Sequence, residues 1–179
     1  MKNGQECWAK TLLTTNSYLD AICGAIDKMV ASSCVESASF GADTISIANK
    51  VIALSERKKF FVNTRVLINN VLNNIPKQSA KILTLRYVDH MKSDLICNLL
   101  NMPQRTYFRK ISKAICDFAF ELKKLGFDEE KLFLMFKNEL WILEIFDTYA
   151  KRQMPAIETK NLLSMAILSL KQRINFAYC

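Results

Sequence analysis

Apolar side chains recur along the first part of the chain at Trp8, Leu12, Leu19, Ile22, Ile26 and Met29, with Thr15 filling the gap in a series of alternating four- and three-residue steps. This is a heptad seam, and it predicts a helix from near Cys7 to Ser33, about 35 Å long. The small polar residues and glycine of SSCVESASFGAD predict a break after it. A second helix is expected from Asp43 or Thr44, either of them a suitable N-cap, to about Asn74. Its stripe takes in Ile47, Val51, Leu54, Phe61, Ile68 and Leu72, but Lys58 and Arg65 fall on the same seam. Two long helices joined by a short loop predict an antiparallel coiled-coil hairpin over residues 1–75.

Pro76 ends that arm, because a proline pushes the residue before it out of helical geometry. Residues 76–126 then read as three helices closed by Gly126. The first, about Gln78 to Tyr87, turns Ile82, Leu85 and Tyr87 inward. A polar turn, DHMK, leads to Ser93 as N-cap and Asp94 in the first turn of the second helix. That helix is short and is expected to bury Leu95, Ile96, Leu99 and Leu100. In the turn after it, Asn101 is one of the few residues besides glycine that tolerates a left-handed backbone. Met102 is the apolar plug, and Pro103 fixes the entry to the third helix. In the third helix Tyr107, Ile111, Ala114 and Ile115 share one face. Gln104, Arg105, Thr106, Phe108, Arg109, Lys110 and Lys113 are left facing outward.

After Gly126, residues 127–179 predict a C-terminal helical element. Asp128, Glu129 and Glu130 open a helix with acids where its dipole favours them. The run KLFLMFKNELWILEIF is apolar on more than one face, so it must be buried against its own chain or a second copy. Pro155 precedes a last predicted helix, about Ile157 to Phe176. With only four glycines and three prolines in 179 residues, few turns are available for sheets, and the expectation is an all-α chain.

The net charge is +8, and its placement matters more than its size. Between Lys77 and Leu125 ten Lys/Arg stand against four Asp/Glu, whereas residues 126–179 hold seven of each. A basic excess confined to the trihelical segment suits phosphate binding. An outward face with Gln, two Arg and two Lys also carries the donors that read the major groove. Arginine matches guanine bidentately, glutamine matches adenine, and lysine pairs with phosphates.

The stretch ILTLRYVDHMKSDLICNLLNMPQRTYFRKISKAI resembles region 4 of sigma-70 factors and, more closely, the sigma-like helix-turn-helix of ArpU-type phage and prophage regulators. The shared landmarks are Leu85–Tyr87, the pair Leu95–Ile96, Leu99–Leu100, Met102, Tyr107 and the basic run Phe108–Ala114. The resemblance implies promoter or operator binding, with the outward residues Gln104 to Lys113 as readers. No counterpart of sigma region 2 is evident, so promoter melting is not implied.

Other chemistry is sparse. The six cysteines form no C-x-x-C pair, and His90, the one histidine, lies in a polar turn away from them. Cys97 and Cys116 fall on expected interior faces, as reduced thiols usually do. With no phosphate-cradling glycine loop and no paired metal ligands, neither an enzyme nor a cofactor is expected. No secretory signal or membrane-length apolar run is visible, which points to the cytoplasm. The expected function is sequence-specific regulation of transcription by a homodimer on double-stranded DNA. The alternatives are a module that docks on RNA polymerase or a partner factor, and a DNA-packaging component of the small-terminase kind.

Overall fold

The computed structural model describes residues 4–40, 44–151 and 164–168, with side chains omitted over 36–40. Every regular element among them is helical. We number the α-helices α1 (Gly4–Phe40), α2 (Thr44–Asn74), α3 (Lys77–Leu83), α4 (Ser93–Leu99), α5 (Gln104–Lys124), α6 (Glu129–Phe136) and α7 (Leu140–Ala150). None is long and apolar enough to cross a membrane. The last predicted helix lies mostly outside the described residues, of which 164–168 are helical.

The seam read from the first segment is buried at Trp8, Leu12, Thr15, Leu19, Ile22 and Ile26. The break expected near Ser33 is not there: α1 continues through SSCVESASF to Phe40. No glycine or proline interrupts residues 25–40, and two of the serines support the helix instead of leaving it. Ser32 and Ser33 donate their hydroxyls back to the carbonyls of Lys28 and Met29, each at 2.9 Å.

The chain packs into two units, and both long helices contribute to each. One unit holds residues 18–66 together with the described residues 164–168. Here Lys58 and Arg65, the two charges on the α2 seam, find acids on α1. Lys58 reaches Asp27 at 2.7 Å, and Arg65 donates to Asp20. A step of seven residues forward along α2 matches a step of seven back along α1, so the two helices run antiparallel in this unit. Charges that interrupt the apolar stripe therefore mark its register.

The other unit holds, among the described residues, 4–17 and 67–151, so the trihelical segment packs with chain on both sides of it. This grouping draws its lines elsewhere than at 75/76 and 126/127. The apolar run after Gly126 also differs from a single helix. It bends at Lys137–Glu139 into α6 and α7, and the bend lets two of its faces be buried: Leu132 and Phe136 on α6, Trp141, Ile142, Ile145 and Phe146 on α7. Asp128 caps α6 by accepting from the Lys131 amide at 2.9 Å. Glu139 is buried at the bend, where it accepts from the Trp141 indole N–H at 3.1 Å.

What covers this run is the start of α1. Trp8 is fully buried, with ring centroids 5.0 Å from Phe133, 5.7 Å from Phe136 and 4.7 Å from Phe146. Gln5 donates to the Phe127 carbonyl at 2.8 Å, and Thr14 and Tyr149 share a hydroxyl hydrogen bond of 2.8 Å. Burial pushes the Tyr149 hydroxyl above its ordinary pKa, against the opposing effect of Thr14.

Candidate nucleic-acid interface

The interface is built on a core of Ile82, Ile96, Cys97 and Tyr107, to which Leu85, Met91, Leu100, Met102 and Ile111 add partly buried surface. Pro76 occupies the cap position of α3. After Leu83 the helix widens into a π-turn, Thr84–Val88, and the Asp89 amide reaches back to the Thr84 carbonyl at 3.0 Å. The polar turn that follows carries His90, exposed and in the left-handed region with φ of 50°. Arg86 closes this turn by donating to the Met91 carbonyl at 3.1 Å. Tyr87 lies nearby, its hydroxyl pushed well above the ordinary range by burial, with Tyr149 adding to the effect.

The turn between α4 and α5 forms as its residues dictate. Asn101 adopts φ of 47°, and its amide bonds the Asn98 carbonyl at 3.2 Å. The Met102 amide bonds the Cys97 carbonyl at 2.9 Å. This pair of bonds is a Schellman closure with asparagine in the place glycine usually takes. Its apolar contact is present too, since Met102 and Cys97 belong to the same core. Pro103 then sits at the cap of α5 with extended backbone, and the Tyr107 amide returns to its carbonyl at 3.0 Å.

Two expectations for α4 are corrected. Ser93 is the first helical residue and not the cap, a place taken by Lys92 with no side-chain cap bond. Leu95 and Leu99 are 54% and 58% exposed, not buried, and the inward face is Ile96 and Cys97 with Leu100 beside them. The helix is rotated nearly a quarter of a turn from the face read in the sequence. The closure explains the rotation, because it pulls Cys97 towards Met102 and the inner face follows.

On α5 the inward face is as expected: Tyr107, Ala114 and Ile115 are buried and Ile111 is partly so. Of the seven candidate readers, Gln104, Arg105, Phe108, Arg109 and Lys113 are exposed, while Thr106 and Lys110 lie half-buried on the flank. At 100° per residue Arg109 falls opposite the buried stripe, with Arg105 and Ser112 on one side of it and Lys113 on the other. Ser112 is exposed and completes the stripe; its spacing of seven from Arg105 was the signal available in the sequence. Arg105, Arg109, Lys110 and Lys113 have no ion-pair partner among the described residues. Gln104 is engaged, donating to Asp94 at 2.6 Å, a bond that ties the first turn of α5 to that of α4.

Two acids of the segment, both on α5, are engaged by other side chains. Asp117 accepts from Ser79 at 2.7 Å, and buried Glu121 accepts from Asn74 at 3.2 Å and pairs with Lys124 at 3.4 Å. Lys124 thus serves the helix end, where Gly126, at φ of 80°, makes a second Schellman closure through Lys123. The C-terminal half of α5 borders an open groove lined by Glu6, Cys116, Phe120, Asp128, Glu129 and Phe133 among others. Cys116 is therefore exposed and not interior. Its thiol lies 3.6 Å from the Glu6 carboxylate, and desolvation, with Glu6 adding to it, pushes its pKa up. The helix is basic and open at its N-terminal half, whereas its C-terminal half borders a groove of mixed charge in which Glu6, Asp128, Glu129 and Glu130 stand with Lys123. An anion is therefore attracted to the first half more than to the second.

Residues 46–119 match the model of a family described as a protein of unknown function (DUF1492). The matched stretch runs from the first turn of α2 to Ala119 in α5, under half of the chain, and takes in α3, α4, the turn and the reader face. No curated protein and no solved structure matches the chain.

Proposed function

We propose that the chain is a sequence-specific DNA-binding regulator of transcription that inserts the N-terminal half of α5 into the major groove. The observation that carries this reading is the exposed face of Arg105, Arg109 and Lys113, without ion-pair partners among the described residues, on a helix that follows a tight turn from α4. A helix of this kind offers bidentate donors to base edges, while neighbouring cations neutralise phosphates. Arg109, opposite the core, is the deepest reader. Gln104, held by Asp94, positions the two helices. The resemblance to sigma region 4 and to ArpU-type regulators adds the expectation of a promoter or operator as target; we propose that it is read by a homodimer in the cytoplasm.

Selection from a random duplex library tests the reading, with an Arg105/Arg109 double-alanine variant as control. The expected result is an enriched motif with wild type and none with the variant, and affinity that falls steeply with salt. Salt-independent binding, or the same motif from both proteins, defeats it.

A second reading keeps the fold and changes the partner. Leu95 and Leu99 form an exposed apolar pair on α4, which suits a protein contact such as RNA polymerase better than a phosphate backbone. Capture of polymerase that is lost with a Leu95/Leu99 double-serine variant, and kept by the arginine variant, favours it.

A further inference from the structure

The reader face contains one side chain that donates nothing. Phe108 is 55% exposed and lies in the second turn of α5, three residues after Arg105 and next to Arg109. Its ring is braced from behind, meeting the buried Tyr107 edge-on at 5.3 Å. A large apolar ring among cations is poorly placed for phosphate contact, yet the early turns of such a helix are the ones that meet base edges. In the major groove the apolar feature a base pair offers is the C5-methyl of thymine.

We infer, resting on the DNA reading above, that Phe108 is a specificity-determining residue that selects a thymine methyl beside the bases read by Arg105 and Arg109. The same ring accepts 5-methylcytosine and discriminates against the unmethylated pyrimidine. Covering one methyl group is worth about a fourfold change in affinity.

The experiment uses the full chain and the duplex enriched by selection, with deoxyuridine replacing each thymine in turn. Deoxyuridine keeps every hydrogen-bonding group and removes only the methyl. At one position the exchange is expected to weaken wild type about fourfold and to leave the affinity of Phe108→Ala unchanged. Phe108→Leu, still apolar, is expected to keep part of the sensitivity, and matched circular dichroism melts show that the variants fold. The inference is overturned if wild type is indifferent to deoxyuridine at every position, or if Phe108→Ala stays as sensitive as wild type. Absence of any enriched duplex overturns the DNA reading itself, and this inference with it.

Discussion

The rotation of α4 predicts opposite fates for two residues three positions apart. Ile96 has no exposed surface and belongs to the core with Ile82, Cys97 and Tyr107. Its truncation to alanine removes apolar atoms from close packing and leaves a cavity, a loss of about 2–5 kcal/mol. For a chain of this length each kcal/mol moves the melting temperature by about 2–4 °C, so Ile96→Ala should lower it by about 4–20 °C. Leu99, 58% exposed, gives up surface that water already reaches. Leu99→Ala should stay within about 0.5 kcal/mol, a shift under about 2 °C. Thermal melts followed by circular dichroism at fixed salt, without DNA, measure both. Shifts of equal size, or a larger one for Leu99→Ala, would refute the observed face of α4 and restore the one read from periodicity.

Arg109→Ala is expected to weaken binding to the selected duplex by about 1–3 kcal/mol and to relax base preference at one position, read from a competition titration. Asn101→Val puts a β-branched residue at positive φ and should cost about 1–2 kcal/mol, whereas Asn101→Gly should be close to neutral, both by denaturant unfolding. Thr15 is fully buried and its hydroxyl has no hydrogen-bond partner among the described residues, so Thr15→Val should raise stability by about 1 kcal/mol; a lower melting temperature would reveal a bond to that hydroxyl. Cys116 should alkylate slowly at neutral pH despite its exposure, because its raised pKa leaves little thiolate. Glu6→Gln should speed the reaction and shift its pH profile to lower pH, as followed by mass spectrometry.

Much of this protein is written in local rules. Helical periodicity set which face of α1 and of α5 is buried, since an amphipathic stripe has one way to leave water. Pro76, Asn101 and Gly126 placed three of the helix boundaries through backbone sterics alone, and the outward residues of α5 followed by subtraction from its inner face. Features that depend on a partner distant in sequence were decided by the tertiary structure. The start of α1 carries a seam that reads as coiled coil, yet Trp8 packs into the aromatic rings of α6 and α7. A heptad records that a face is apolar and not what covers it. The seven-residue α4 carries too little pattern to fix its own rotation, so the closure through Cys97 and Met102 chose its inner face. The bend at Glu139 has the same origin: a run apolar on several faces gains burial by folding back, and only the surface waiting to receive it sets where it turns.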